Sequence, residues 1–395
     1  MSNAGLRVAI VGGGIGGMFA AKALLERGID VVVYEQASQI GEIGAGVQLT
    51  PNSLKLLERV GLLPEITRLG VPEAEASSYY RMDGTLVAPV VTTDSSGQYG
   101  VYGIHRADLL SVLAEALPVG IIRVGHSCVA LEQDESGARL TFANGDTGEA
   151  DIVIGADGIH SVLQGYVSEP SKPVDSGMVA YRGLIPAEKL PSWPTDTFQL
   201  WMGDRKHFLV FPVRGGTLIN YVGFVPSDEH AEESWSALGD PAVLASEFAG
   251  WDPRIEELLT KVETTFWWGL YDREPLTVWT KNRLTLLGDA AHPMLPHLGQ
   301  GANQSIEDGA ALALLLTGAD RESAPQALAA YEELRRERTT AVQTGARANG
   351  LRYDSVYEDL SKRDAEIAAT RDFRLWVYDY DAELAASEVL AQQAQ

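Results

Sequence analysis

The chain has 395 residues, 45% of them hydrophobic and 22% charged, and its formal net charge at pH 7 is −23. This composition is typical of a globular protein with a large core, and the negative charge argues against a surface for nucleic acid or anionic lipid. Cys128 is the single cysteine, so we expect no disulfide, no metal site and a cytoplasmic location. No apolar stretch approaches the ~18 residues of a membrane helix.

The N-terminal part predicts a βαβ unit. Residues 6–11 (LRVAIV) form a short apolar run typical of a buried parallel strand, and residues 30–35 (DVVVYE) form a second one. Between them, residues 15–27 carry a helical pattern that ends at Gly28. A further helix is predicted over residues 52–60, directly after Pro51.

The middle of the chain has a different character. Several segments are rich in aromatic and β-branched residues and indicate an antiparallel sheet inserted into an α/β framework. These segments are residues 77–82, 178–185, 197–202, 207–213, 217–225 and 264–271. Residues 151–156 and 284–287 are predicted as further framework strands, and the chain is mostly helical from Ala302 onward.

A glycine motif follows the first predicted strand and begins the first helix. Gly12, Gly14 and Gly17 have the spacing GxGxxG, with Ile15 inside the motif, and Glu35 ends the second strand. Such glycines allow a tight turn, close approach of a pyrophosphate and close packing of helix on strand, while the acid accepts a hydrogen bond from a ribose hydroxyl. With strand, helix and acid in place, the motif predicts dinucleotide binding rather than a structural turn.

Two further glycine segments follow predicted strands. One runs from Gly155 through Asp157 and Gly158 to Ser161, and the other comprises residues 288–293 followed by 299–303. An aspartate after a strand can bind a polyol chain, and a helix N-terminus favours negative charge on a nearby ring. The alternative for each aspartate is a helix cap or a turn acid.

Together these segments resemble the FAD-dependent aromatic hydroxylases of the p-hydroxybenzoate hydroxylase type. The similarity runs from about Leu6 to Arg347 and is closest to the salicylate, 3-hydroxybenzoate and 6-hydroxynicotinate hydroxylase branch. Supporting segments are residues 44–48, 51–52, 105–109, 181–183 and 271–276.

The resemblance implies a set of FAD-binding residues. The pyrophosphate would lie at the first glycine motif and the adenosine ribose at Glu35, and the ribitol chain would bind Asp289. Backbone N–H groups at the start of a helix would meet the flavin pyrimidine edge. The cofactor-binding residues expected on this basis are Gly12, Gly14, Ile15, Gly17, Glu35, Gln48, Arg106, Asp157, Gly158, Asp289, Gly301, Ala302 and Asn303.

The fold expected from the resemblance is α/β (α+β), a Rossmann-like FAD-binding domain with an interleaved antiparallel-sheet substrate domain and C-terminal helices. The FAD-binding domain would comprise residues 5–76, 101–176 and 276–350. The substrate domain would comprise residues 77–100 and 177–275, and residues 351–395 would form a C-terminal helical segment.

The resemblance also suggests catalytic residues. In related hydroxylases a histidine at the place of His207 is paired with a tyrosine four residues on, where this chain has Phe211. His207 is therefore a candidate base for a phenolic proton, with a structural strand histidine as the alternative. Pro296 aligns with a proline whose carbonyl faces the flavin hydroperoxide. Gln164 stands where an arginine is usual, which leaves the nicotinamide contact and the choice between NADH and NADPH open.

The predicted substrate-binding residues are His207, Phe211, Tyr181, Arg182 and His297. The predicted function is hydroxylation of a small aromatic acid or phenol through a flavin hydroperoxide, with FAD as cofactor and NAD(P)H and O2 as co-substrates. Alternatives are a monooxygenase acting on a larger polycyclic or heteroaromatic metabolite and a flavin dehydrogenase without oxygenation. A monomer or homodimer is expected.

Overall fold

The computed structural model describes residues 5–41, 45–169, 173–227 and 237–393, so Gly44 of the segment 44–48 lies outside the described residues. The strands are β1 Arg7–Val11, β2 Asp30–Tyr34, β3 Gly46–Leu49, β4 Val71–Pro72, β5 Ser78–Arg81, β6 Leu86–Pro89, β7 Tyr102–His105, β8 Ile122–Arg123, β9 Cys128–Asp134, β10 Gly137–Phe142, β11 Thr147–Ala150, β12 Ile152–Gly155, β13 Val174–Pro186, β14 Gln199–Gly203, β15 Lys206–Val213, β16 Leu218–Pro226, β17 Leu238–Gly239, β18 Thr265–Asp272, β19 Thr280–Lys281 and β20 Leu284–Leu286.

The α-helices are α1 Ile15–Leu25, α2 Pro51–Arg59, α3 Leu63–Leu69, α4 Arg106–Glu115, α5 Gln164–Val167, α6 Pro241–Glu247, α7 Pro253–Leu259, α8 Gly301–Leu315, α9 Ala324–Asp354, α10 Leu360–Ala369, α11 Arg371–Asp379 and α12 Ala382–Gln393. Three 3₁₀ turns cover Ala187–Lys189, Gly288–Ala290 and Pro296–Leu298.

The framework sheet has the order β19-β20-β12-β1-β2-β8 and is parallel except at β19. Its central strand β1 is buried on both faces, as its apolar sequence predicts. Helix α8 packs closely on α1, because Gly16 and Gly309 lie at the contact. An added Cβ would lie 2.8 Å from Ser305 Cβ at the first glycine and 2.9 Å from a Phe19 ring carbon at the second.

The second large sheet has the order β17-β18-β13-β16-β15-β14-β5-β6 and is antiparallel except where β14 pairs with β5. Its outer face packs on α6 and α7 through a core that includes Trp201, Phe208 and Phe248. Its inner face packs toward α9 and α10 and toward the segment after β20, through residues that include Tyr353, Ile367 and Leu295. The inner face is therefore the side that meets the third glycine segment.

The predicted fold class is confirmed, with mixed parallel and antiparallel sheets followed by C-terminal helices. Two three-stranded sheets, β11-β10-β9 and β3-β7-β4, add to the predicted elements. Within the described ranges, no helix is long and apolar enough to cross a membrane.

Candidate active site

The three glycines of the GxGxxG motif comprise two that the fold requires, Gly12 and Gly17, and one that borders open space, Gly14. Gly12 has φ +112°, and a Cβ there would overlap the carbonyl oxygen of Ala156, while a Cβ on Gly17 would overlap the carbonyl oxygen of Gly12. At Gly14, by contrast, no atom of the described residues lies within 4 Å of an added Cβ. The loop is thus packed on its protein side and open on the side where a pyrophosphate would approach.

Glu35 lies at the end of β2 beside this loop. Its carboxylate accepts hydrogen bonds from the backbone N–H of Gly13 (2.7 Å) and of Ala37 (2.7 Å). The acid therefore holds the glycine loop in place and stands next to the start of α1, as a ribose-binding acid would.

Asp289 lies beside the start of α8, near Gly301. Its side chain is exposed to solvent, yet the surrounding protein raises the pKa of its carboxyl, against the opposing charges of His292 and Arg106. Among the residues that the structure describes, an added Cβ at Gly301 would meet only the Asp289 carboxylate, at 3.8 Å. A carboxyl that is surrounded by protein but open to solvent fits a ligand cleft.

A buried ionic network fixes this segment to α8. Asp308 accepts from the backbone N–H of Gly288 (3.0 Å) and contacts His292 Nε2 (2.6 Å) and Arg335 Nε (2.8 Å). Burial alone would raise the pKa of Asp308, but the charges of His292 and Arg335 hold it at about 2. His292 therefore serves the packing of the Gly288 turn.

The start of α8 offers its first-turn amides to the cleft. Backbone N–H groups of a first helical turn, here Gly301, Ala302 and Asn303, have no acceptor within the helix. The Asn303 side chain is used structurally, since it accepts from Thr50 N (3.0 Å) and donates to the carbonyl of Gln48 (2.9 Å). It thereby ties the helix start to β3 and α2.

The second glycine segment forms a capped turn. The Asp157 carboxylate accepts hydrogen bonds from Ser161 Oγ (2.6 Å) and Val162 N (2.9 Å), and Gly158 has φ +78°. Gln164 is buried and donates from Nε2 to the carbonyl of Ala290 (3.2 Å), so its side chain points into the Asp289 segment. Asp157 has the capping geometry that sequence reasoning weighed as the alternative.

His207 forms a buried pair with an aspartate that the sequence did not suggest. Its Nδ1 lies 2.6 Å from Oδ1 of Asp354, at the C-terminal end of α9. The imidazole is 0% exposed and stacks on Phe224 with ring centroids 4.0 Å apart. Within the described ranges, Nε2 of His207 has no hydrogen-bond partner. An ionised carboxylate only accepts, so Nδ1 carries the hydrogen and Nε2 of the neutral ring is an acceptor.

Two aromatic groups border His207 on the side of the helices. The His297 ring lies 5.1 Å and the Tyr353 ring 5.2 Å from the imidazole, measured between centroids. Burial and the neighbouring His207 lower the pKa of His297 well below its usual value, so His297 is neutral at physiological pH. Its ring packs on Gly350 of α9, where an added Cβ would lie 2.5 Å from Cδ2.

The register of the large sheet places the other predicted substrate residues. Arg182 is level with Val222 and Leu209 on the inner face, which His207 and Phe211 share. Tyr181 is level with Gly223 on the outer face and stacks on Trp267, so the structure does not bring it to His207.

The remaining predicted residues lie around the same segment. The ring of Phe211 packs on Gly46 of β3, where an added Cβ would lie 2.6 Å away, and so helps to join the large sheet to the small sheet β3-β7-β4. Pro296 is exposed and begins the 3₁₀ turn that carries buried His297, and its carbonyl accepts from Gly299 N (2.9 Å). Gln48 donates from Nε2 to Glu73 (2.5 Å) and lies beside Gly299.

Sequence reasoning missed four side chains that the fold adds: Glu73, Tyr353, Asp354 and Arg374. Three of them follow the last glycine motif by about 50 residues or more, on helices read only as a C-terminal segment. The sequence offered one indication of such a residue: Phe211 has no hydroxyl, so it cannot be the hydrogen-bond partner of His207. Among the described side chains, no group of three or more His, Cys, Asp or Glu residues could hold a metal ion.

A glycine cradle, an acid at the end of β2 and an open cleft before a helix N-terminus define a dinucleotide-binding oxidoreductase fold. The model for the FAD binding domain matches residues 5–346. A 3-amino-4-hydroxybenzoate 2-monooxygenase of Streptomyces platensis is 38% identical over 97% of this chain and 98% of its own. A 6-hydroxynicotinate 3-monooxygenase of Pseudomonas fluorescens is 35% identical over 85% and 89%.

Among solved structures, a salicylate hydroxylase substrate complex superposes with a TM-score of 0.84 at 29% identity, covering 98% of each chain. The chain belongs to the FAD-dependent aromatic hydroxylases. The predicted family, fold class, enzyme class and FAD cofactor are thus confirmed.

Proposed function

We propose that this FAD-dependent monooxygenase hydroxylates a small phenolic acid of the 3-amino-4-hydroxybenzoate class, with NAD(P)H as reductant and O2 as oxygen donor. The observation that carries the proposal is the buried His207–Asp354 pair, whose free Nε2 lies on the inner face of the large sheet. A relative with 38% identity over nearly the whole chain acts on such a compound, as its name states. A monomer or homodimer in the cytoplasm stays a prediction.

FAD would be held along the cleft described above. Gly14 and the start of α1 would meet the pyrophosphate, Glu35 the ribose and Asp289 the ribitol chain, with the first-turn amides of α8 at the pyrimidine edge. When bound, FAD would supply a group that accepts two electrons from NAD(P)H and passes them to O2. Arg106 carries a positive charge toward Asp289 and so would offset the charge of the phosphates.

His207 would take the proton of the phenolic hydroxyl. The proton moves from the substrate oxygen to Nε2, and the resulting imidazolium is stabilised by the Asp354 carboxylate at Nδ1. Loss of the proton raises the electron density of the ring at the carbons ortho and para to the oxygen. Of these, only C5 of 3-amino-4-hydroxybenzoate carries a hydrogen, so the proton transfer to His207 activates C5, whereas attack at C2 would draw on the lone pair of the neighbouring 3-amino group. The imidazole also keeps a fixed orientation, because it is stacked on Phe224.

The surroundings of His207 would keep the reacting carbon of the substrate away from water. Phe224, His297 and Tyr353 enclose the imidazole, and all three are almost fully buried. His297 is neutral and therefore does not compete as an acid for the phenolate. A dry, preorganised site of this kind favours oxygen transfer over wasteful release of peroxide.

The test is a panel of aromatic acids assayed with FAD-loaded enzyme for stimulated NAD(P)H oxidation and for product. We expect 3-amino-4-hydroxybenzoate to stimulate oxidation, with one labelled oxygen atom from ¹⁸O₂ in each product molecule. NADH and NADPH are compared in parallel. If only polycyclic phenols respond, the substrate class is wrong. Turnover without oxygen through a dye acceptor would point to a dehydrogenase.

A further inference from the structure

Arg374 is a buried guanidinium with an incomplete set of partners. It lies on α11 with 8% of its surface exposed, and its Nη2 donates to the hydroxyl of Tyr353 (3.2 Å). In the part of the chain that the structure describes, its Nε has no hydrogen-bond partner, and no carboxylate oxygen lies within 4.0 Å of the guanidinium. Helix α11 also lies beyond residue 346, where the match to the FAD binding domain ends.

Two other buried arginines, Arg335 and Arg338, differ from Arg374 because each contacts a carboxylate. Arg335 contacts Glu307 (2.6 Å) and Asp308 (2.8 Å), and Arg338 contacts Glu307 (2.8 Å). Burying a charge is costly unless an opposite charge with good geometry compensates it. A buried arginine that lacks such a partner is therefore suited to bind an anion that enters from outside.

Tyr353 places Arg374 at the substrate site. The ring of Tyr353 contacts His207, and its hydroxyl contacts Arg374, so one tyrosine side chain separates the candidate base from the guanidinium. Tyr79 of the inner sheet face lies under Arg374, with its ring centroid 5.9 Å from Cζ. The guanidinium thus belongs to the same buried face as the base.

Glu73 is a buried carboxyl group whose pKa the charge of Arg374 lowers. Burial raises the pKa of Glu73 to about 7, although the hydrogen bond from Gln48 and the charge of Arg374 oppose this. Near neutral pH much of Glu73 is therefore uncharged and compensates Arg374 only in part. An incoming carboxylate would complete the compensation.

We propose that Arg374 binds the carboxylate of the aromatic substrate while His207 binds its hydroxyl at the opposite end of the ring. This rests on the proposed function and names the group that selects an acid over a neutral phenol. In 3-amino-4-hydroxybenzoate the carboxylate and the hydroxyl are para to each other, so a ring lying alongside Tyr353 would reach the guanidinium with one end and the imidazole with the other. The C-terminal helices are thereby part of the substrate site.

The test compares ligand binding to FAD-loaded Arg374→Met with binding to the unmodified enzyme, followed by the change in flavin absorbance. The two ligands are 3-amino-4-hydroxybenzoate and its decarboxylated analogue 2-aminophenol. We expect Kd for the acid to rise about 10- to 100-fold, as for loss of a charged hydrogen bond, and Kd for 2-aminophenol to change by less than about threefold. The Kd of Arg374→Lys for the acid should lie between those of the unmodified enzyme and Arg374→Met, because lysine keeps the positive charge but lacks the paired N–H donors of a guanidinium.

Arg371→Met is the matched control, because it removes one exposed charge from the same helix. It should leave both Kd values unchanged. Equal losses for acid and phenol in Arg374→Met, or no loss for either, would overturn the proposal. If both Arg374 variants fail to hold FAD, the proposal is tested by comparing the Kd values of the unmodified enzyme for the acid and for 2-aminophenol. Binding of the acid no tighter than 2-aminophenol refutes the anchor, and at least tenfold tighter binding supports it.

The outcomes also separate this proposal from the proposed function. Arginine-dependent binding of the acid without hydroxylation would leave the anchor standing and refute the activity. Normal hydroxylation of the acid by Arg374→Met with an unchanged Kd would leave the activity standing and refute the anchor.

Discussion

Replacing Asp354 by asparagine tests whether His207 is a base oriented by its partner. The carboxylate fixes the Nδ1–H form of the imidazole through a contact of 2.6 Å, and its side chain is only 14% exposed. An amide has the same shape but can donate to Nδ1, which moves the hydrogen to Nε2 and removes the acceptor that faces the substrate. The buried imidazolium that forms during turnover also loses its counter-charge.

The size of the effect follows from these two losses. General-base catalysis contributes about 10²- to 10⁴-fold, and a charge-assisted hydrogen bond in a buried site contributes about 1.5–3 kcal/mol. We therefore expect product formation to fall about 100-fold in Asp354→Asn, with FAD content unchanged. His207→Ala should lose a similar factor, and the double variant should lose little more, because the two residues act as one unit.

The assay is the rate of product formation at saturating 3-amino-4-hydroxybenzoate, with released hydrogen peroxide measured in parallel. Asp359→Asn is the matched control, since Asp359 is a nearby acid that caps α10 through Ser361 and does not contact His207. A fluorinated substrate whose phenol is already ionised should recover most of the lost rate. Product formation by Asp354→Asn within threefold of the unmodified enzyme would refute the assigned role.

Three other predictions follow from the cleft and the buried carboxyl. Gly12→Ala should lower the melting temperature of the FAD-free protein, because its Cβ overlaps a backbone carbonyl at φ +112°, whereas Gly14→Ala should leave that temperature unchanged and weaken FAD binding about tenfold or more. Asp289→Ala should yield folded protein depleted in FAD by absorbance, and full flavin occupancy would remove its proposed role. Glu73 has a folded pKa of about 7, raised from 4.5 by burial, so it favours the folded state below pH 4.5 and this contribution is lost as pH rises toward 7. Glu73→Gln should therefore gain stability over the unmodified chain by up to about 3 kcal/mol between pH 4.5 and pH 8 in denaturant titrations, and parallel curves would contradict this.

The framework could be predicted because its signals are local. Residues 6–11 and the glycines after them fix a strand, a turn and a helix within 20 residues, and the structure has β1 and α1 at those places. The aromatic segments of the large sheet were found for the same reason. The domain boundaries and the roles of single site residues stay predictions.

The partners in the site could not be predicted, because they depend on distances between remote segments. Asp354 meets His207 across 147 residues of sequence, and Arg374 meets Tyr353 from a different helix. Tyr181 was predicted at the site but lies away from it, because successive side chains of β13 face opposite sides of the sheet and Tyr181 is on the outer one. A motif specifies residue types and their spacing, but the register of the sheet determines which side chains lie on the same face.

The course of α9 has a practical consequence for protein engineering. The glycine motifs end at residue 301, while the partner of His207 lies at the last residue of α9. A chain shortened after Thr344 would lose Asp354 and Arg374, and it would also lose α12, whose Ala382 and Ala386 lie in the framework core. Truncation would therefore disturb the cofactor side together with the substrate side, so single substitutions are needed to separate the two. Exchange of residues beyond α9 between relatives is a direct route to altered substrate preference.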